Sequence, residues 1–212
     1  MEALKIVLSA AIAYMLGSIC FSVILSRQLI GRDVRETGSG NAGATNMLRN
    51  YGWILGVGTF VVDCAKGMLA AAVGLWLAGD MGAAAAGLFA VIGHKWPVFY
   101  QFRGGKGIAT TVGVLLALVP QMILPVVIAG VVSIAVTRIV SLASIVGCLV
   151  IIALSWIFYY ENLAICLMTT LICVINIWAH RENIDRLIKG TENKLDWARI
   201  KKVSQYWNKK KR

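Results

Sequence analysis

The sequence predicts an all-α polytopic membrane protein with seven transmembrane helices, some of them short or broken. Three observations carry that reading. Of the 212 residues, 58% are hydrophobic and only 15% charged, more apolar material than a water-soluble core needs. The apolar residues fall in long uncharged runs, at 6–26, 50–62 with 67–79, 81–93, 108–136, 139–160 and 162–179. Lysine and arginine gather between those runs in a pattern that assigns each loop to one side of a bilayer.

The first run, Ile6 to Ser26, has 21 residues, enough for one crossing. Basic residues follow it rather than a small-residue cleavage site, so it reads as a span and not a removable leader. Asp63 and Lys66 interrupt the second; spaced i,i+3 on one helix face, they read as a mutually neutralising structural pair. The run from Ile108 to Val136 has 29 residues, long for one crossing and short for two. Pro120-Gln121 and Pro125 near its middle fit a tight turn between two short spans. Charge parity agrees. With seven crossings, Arg27, Arg35, Arg49, Arg103, Lys106, Arg138 and the basic tail share one side, and Asp80, Gln121, Glu161 and a lone Lys5 occupy the other. The N-terminus is then outside and the C-terminus cytoplasmic.

Residues 1–194 are read as one seven-helix membrane domain and 195–212 as a basic cytoplasmic tail. In that tail Leu195, Trp197, Ile200, Val203, Tyr206 and Trp207 alternate with basic residues, which suits either a helix lying on an anionic leaflet or a frayed polar end. The net charge of +11 follows from the positive-inside bias, and no nucleic-acid partner is expected. The five cysteines lie in apolar runs without a C-x-x-C pair and read as small buried hydrophobes. No metal site and no cofactor are expected.

Polar residues that an apolar bundle does not need fall in four segments, all on the cytoplasmic side of this topology: "GSGNAGATNMLR" (38–49), "GHKWPVFYQFRGGKGIATT" (93–111), "TRIVSLAS" (137–144) and "HREN" (180–183). Glycines permit positive φ and let successive N–H groups form an anion-binding concavity. Ser39, Thr45, Ser141 and Ser144 offer hydroxyls, while Arg49, Arg103 and Lys106 bring positive charge suited to phosphate. "GGKG" opens a helix, whose N-terminus favours an anion. The combination reads as a site for one or two phosphates.

Three motif matches fail their context. Gly38, Gly40 and Gly43 spell G-x-G-x-x-G, but a membrane run precedes them where a dinucleotide fold has a strand. "FRGGKGIAT" lacks the first P-loop glycine, and Gly107 stands where Ser or Thr would meet Mg²⁺. His180 and Asp185 have the H-x-x-x-x-D spacing of soluble-headed glycerolipid acyltransferases, but the pair straddles the end of a span.

Taken together, "GSGNAGATN" with Arg49, "DCAKG", "GHKWPVF", "FRGGKGIAT", "SLAS" and "HREN" resemble the bacterial integral-membrane glycerol-3-phosphate acyltransferases that use acyl-phosphate as donor. In order and spacing the match covers residues 1 to about 194. The resemblance implies acyl transfer to the 1-hydroxyl of glycerol-3-phosphate, giving lysophosphatidic acid and phosphate for phospholipid synthesis. It also implies seven spans in the bacterial inner membrane and a cytoplasmic site. Carried over by residue, Ser39, Arg49, Lys106, His180 and Asn183 are the catalytic group. Gly38, Gly40, Asn41, Gly43, Thr45, Arg103, Gly104, Gly105, Gly107, Thr110 and Ser141 are substrate-binding, and Asp63, Lys66, His94 and Glu182 are structural. The implied partners are the two substrates, the lipid bilayer and the soluble enzyme that makes acyl-phosphate. A transporter of a phosphorylated solute or lipid is the competing class. It accounts poorly for polar groups crowded on one face, since alternating access needs a site near the midplane.

Overall fold

The computed structural model describes residues 1–210, with side chains through 205. Among the described residues every regular element is a helix. Helices α1 (Glu2–Gly17) and α2 (Phe21–Ile30) form one apolar stretch broken at 18–20. A loop with one 3₁₀ turn leads to the short α3 (Ala44–Tyr51) and then to α4 (Trp53–Lys95). There follow α5 (Ile108–Leu118), α6 (Ile123–Thr137), α7 (Val140–Phe158), α8 (Leu163–Ala179), α9 (Arg181–Ile188) and α10 (Trp197–Lys210).

The 43 residues of α4 are two helices rather than one. A continuous helix would hold Asp63 and His94 roughly 46 Å apart at 1.5 Å per residue. Instead their side chains lie 3.5 Å from each other. The chain folds back at Ala78 and Gly79, where φ/ψ leave the helical region and Gly79 takes φ +57°. Glycine adopts that left-handed conformation without a Cβ penalty. Four helical stretches are long and apolar enough to cross a membrane, this hairpin counted as one of them, and α8 with α9, bent by 57°, makes a fifth. Trp76 and Val136 are 82% and 77% exposed; apolar surface on that scale belongs against lipid.

Close backbone approach, rather than large interdigitating side chains, joins the first helices. A Cβ on Gly17 would lie 2.2 Å from the Ala90 carbonyl oxygen, and one on Gly113 1.9 Å from that of Cys64. Small residues at such crossings give van der Waals packing where lipid removes the hydrophobic drive between helices. A larger apolar core, including Val91, Leu115, Met122, Ile151, Met168 and Ile172, joins α4, α5, α7 and α8.

The turns sort to two ends. At one, Asn162 donates to Asp80 at 2.7 Å and Tyr159 donates to Gln121 at 2.8 Å, linking the turn of the α4 hairpin and the α5–α6 and α7–α8 connections. At the other, Tyr14 on α1 donates to the Trp96 carbonyl at 2.8 Å, and the loops before α3, α5 and α9 gather there. Inside the bundle Lys66 contacts Asp63 at 2.7 Å and donates to the Ile19 carbonyl at 2.8 Å. It thereby satisfies a carbonyl freed by the α1–α2 break, which apolar surroundings would otherwise leave costly.

The tail does not lie free. Leu195 and Ile200 are buried, the Leu195 amide donates to the Arg138 carbonyl at 2.7 Å, and the Trp53 amide donates to the Ser204 hydroxyl at 3.0 Å. Helix α10 therefore packs on α3 and the start of α4. The side chains of Tyr206 and Trp207, part of the expected amphipathic face, lie outside the described residues, as do residues 211–212.

Candidate active site

The loop from Asp33 to Gly43 is held by one side chain. Asn46, buried at the start of α3, donates to the carbonyls of Val34, Thr37 and Asn41 at 3.0–3.1 Å. Its Oδ1 accepts from the Ser39 amide at 3.1 Å and from Asn50 at 2.8 Å. Gly38 is required here: it takes φ +59°, and a Cβ would lie 2.2 Å from the Asn50 amide nitrogen. The second loop docks on the first, with the Ala42 amide donating to Gly104 at 3.4 Å. Arg35 crosses between them, bound to Asp33 and donating to the carbonyls of Tyr100 and Arg103. Three donors on Asp33 hold its carboxyl down at about 2 in spite of burial, so this brace stays ionised.

These loops wall a cavity of about 740 Å³ at the end of the bundle opposite the Asp80–Gln121 turns. Ser39, Arg49, Lys106, His180 and Asn183, the five expected catalytic residues, all line it. So do Gly38, Gly40, Asn41, Gly43 and Thr45 of the first loop, Arg103, Gly104, Gly105 and Gly107 of the second, and Ser141. Thr110 does not. Its side chain is fully buried below the wall, where its backbone meets Gly67 of α4. His94 lines the cavity while contacting Asp63, and its Nε2 would lie 2.0 Å from a Cβ on Gly105. That contact leaves only glycine room at position 105.

Glu182, expected to be structural, is instead an exposed rim residue, 4.0 Å from Arg181. The carboxylate that organises the site is Glu192, which sequence reasoning missed. It accepts from Asn183 at 2.7 Å, from Ser141 at 3.0 Å and from Arg186 at 2.7 Å. Burial pushes its carboxyl up, but these three donors outweigh burial and hold it below the ordinary range. It thus ties α7, α9 and the segment after α9 into one wall. Asn183 in turn accepts from the Lys106 ammonium, which links that wall to the glycine loop.

His180 occupies the bend between α8 and α9. Its Nδ1 lies 2.8 Å from the Asn176 carbonyl; a carbonyl can only accept, so Nδ1 carries the proton and Nε2 keeps a lone pair. Asp185 is no partner to it, since it is exposed and paired with Lys189 at 2.8 Å. The Ser39 hydroxyl has no base beside it among the described residues. Arg49 donates to the Asn193 carbonyl at 3.0 Å, so the segment before α10 also contacts a site cation. Burial, reinforced by repulsion from Arg186 and Arg49 and opposed by Glu192, pulls the Lys106 ammonium down to about 8.

Arg49, Lys95, Arg103, Lys106, Arg181 and Arg186 face the cavity against Asp63, Glu182 and Glu192. Asp63 is already neutralised by Lys66. The field inside is positive and selects anions. Among the described residues no three His, Cys, Asp or Glu side chains are arranged as metal ligands.

A family model described as glycerol-3-phosphate acyltransferase matches residues 7–190. The glycerol-3-phosphate acyltransferase of Halalkalibacterium halodurans is 46% identical over 193 residues, covering 86% of this chain and 92% of the relative. That of Thermoanaerobacter pseudethanolicus is 44% identical over 189 residues, covering 89% and 95%. The crystal structure of PlsY (YgiH), an integral membrane glycerol 3-phosphate acyltransferase in its glycerol 3-phosphate form, superposes with a TM-score of 0.85 at 36% identity, covering 90% of this chain and 96% of that one. Its lysophosphatidic acid form gives 0.82 at 33% identity, covering 92% and 97%. With a family model matching most of its length and relatives at 44–46% identity, the chain belongs to the glycerol-3-phosphate acyltransferase family.

Proposed function

We propose that this protein transfers a fatty acyl group from acyl-phosphate to the 1-hydroxyl of glycerol-3-phosphate at the cytoplasmic face of a bacterial inner membrane. The observation that carries the reading is the convergence of four sequence-separated polar segments on one positive cavity at one end of an apolar bundle. Both substrates are anionic and the donor is already activated, so the site must align a hydroxyl with a carbonyl and stabilise developing charge. In the reaction the acceptor oxygen bonds to the acyl carbon, the acyl–phosphate C–O bond breaks, and inorganic phosphate leaves. The hydroxyl proton passes to His180 Nε2 or to a phosphate oxygen.

Arg49 and Lys106 hold phosphate, the Ser39 hydroxyl and the loop amides meet the donor head, and His180 and Asn183 orient the acceptor. Attack by Ser39 itself is disfavoured by the lack of a neighbouring base. Counting the α4 hairpin as two crossings and α5 and α6 as one each gives seven, with successive turns at alternating ends. The lysine/arginine rule then places the cavity in the cytoplasm and the N-terminus outside. A cavity at one end also disfavours a transporter.

The test is lysophosphatidic acid formation by purified wild type and by Arg49→Ala and Lys106→Ala. The wild type makes the product and both variants lose it while remaining folded and extractable. Full activity in either variant would overturn the assignment.

A further inference from the structure

Helix α10 turns one face to the protein and leaves the other without a partner. Ile200 is buried, Val203 and Ser204 are half-buried, and the Ser204 hydroxyl accepts from the Trp53 amide at 3.0 Å. At 3.6 residues per turn these positions fall on one side of the helix, and Arg199, Lys201 and Lys202 fall away from it. All three are exposed, and among the described residues none of their side chains pairs with a carboxylate. Between Asn193 and Gln205 there are four basic residues and one acidic, Asp196, whose carboxylate accepts from the Arg199 amide at 3.0 Å.

The helix lies at the height where the chain enters the bilayer. Trp53, whose amide it holds, opens the apolar stretch of α4, and its side chain is 60% exposed. Trp197, 57% exposed, stands one turn before Lys201, at the margin between the docked and the free face. Tryptophan prefers the membrane–water boundary. A basic free face at that level, bordered by an exposed indole, is complementary to the anionic headgroups of the leaflet. Two contacts carry the position of α10 into the cavity wall. Arg49 donates to the Asn193 carbonyl at 3.0 Å. Gly52, which ends α3 with φ +87°, packs so closely that a Cβ there would lie 2.6 Å from the Ser204 Oγ and 2.9 Å from its Cα. Helix α3 carries Arg49, so α10 supports this cation both through its backbone and at its guanidinium.

We propose that the Arg199, Lys201 and Lys202 face of α10 binds the headgroups of anionic phospholipids, and that this contact, through Gly52 and Asn193, steadies Arg49 in the cavity. The second half rests on the acyltransferase reading and the phosphate-holding role given to Arg49; the first half does not.

The experiment places the full chain in nanodiscs of phosphatidylcholine alone or mixed with phosphatidylglycerol, as wild type, K201Q/K202Q and K201R/K202R. Amide hydrogen exchange over residues 197–205 reads the lipid contact, and the KM for glycerol-3-phosphate reads the link to Arg49. Each lysine at an anionic surface favours binding roughly fivefold. Phosphatidylglycerol therefore slows exchange of α10 by about an order of magnitude in the wild type and much less in K201Q/K202Q, with K201R/K202R following the wild type. It also lowers the wild-type KM by at least about twofold, an effect K201Q/K202Q loses. In phosphatidylcholine alone the three proteins have the same KM. Exchange that ignores phosphatidylglycerol, or that slows equally in wild type and K201Q/K202Q, overturns the lipid-binding face. Slowed exchange with an unchanged KM overturns the link to Arg49. A wild type that forms no lysophosphatidic acid in any disc would refute the acyltransferase reading instead, while exchange still reports the lipid contact.

Discussion

If Lys106 holds the acceptor phosphate as proposed, glycerol-3-phosphate binding weakens in mild alkali, because this half-buried ammonium loses its proton there. Burial lowers Lys106 to about 8 from the usual 10.5, helped by repulsion from Arg186 and Arg49 and resisted by Glu192. With that value the free enzyme is mostly protonated at pH 7, half at pH 8, and only about a tenth at pH 9. Affinity for a phosphate that needs the charged form falls in the same proportion, about tenfold between pH 7 and pH 9. The phosphate favours the charged form, so binding near pH 8.5 takes up protons. Stability moves the other way. Between pH 8 and 10.5 the unfolded chain holds a proton on this lysine that the folded chain does not, so the Lys106 contribution to stability rises with pH across that window. The assay is calorimetric titration of glycerol-3-phosphate into purified protein without donor, from pH 7 to 9.5, for wild type and Lys106→Arg. Arginine stays charged throughout and should flatten the wild-type decline. A wild-type affinity that is constant from pH 7 to 9.5 would refute the reasoning.

Three further outcomes follow from the geometry. Glu192→Gln removes the charge that Arg186 and Asn183 are bound to; with Arg186 a third exposed, the stability loss is about 1–3 kcal/mol, read by thermal unfolding in detergent, with a larger loss in Glu192→Ala. Gly105→Ala brings a methyl to 2.0 Å from His94 Nε2, which costs activity more than expression and shows as a raised KM for glycerol-3-phosphate. Ending the chain after Lys194 removes the docking of α10 on α3, leaving Arg49 less well positioned; activity falls several-fold while the membrane-embedded core still folds. An undiminished truncated enzyme would show that α10 is only a surface appendage.

What could be read from the sequence was whatever stands out against an apolar background. The four polar segments were visible because glycines, arginines and a lysine have no reason to interrupt lipid-facing helices. The structure brings those segments to one cavity. The fold-back at Ala78-Gly79 was marked by Asp80 and the change of run, and the Asp63–Lys66 pair by its helical spacing. The role of Glu192 was not visible. It lies in a short polar segment beyond the last apolar run, and its partners Ser141 and Arg186 are joined to it only by the bends before and after α9. Glu182, itself one of the "HREN" residues, drew the structural expectation, whereas the hydrogen bonds that tie the wall together belong to Glu192. Thr110 failed in the opposite direction, since its helix turns it into the bundle one turn past the glycine loop.

The most direct test offers the purified protein labelled glycerol-3-phosphate with acyl-phosphate, acyl-CoA or acyl-carrier protein, each alone. Lysophosphatidic acid and inorganic phosphate from acyl-phosphate only is the predicted result. No product from any donor, together with uptake of glycerol-3-phosphate into vesicles carrying the protein, would contradict it.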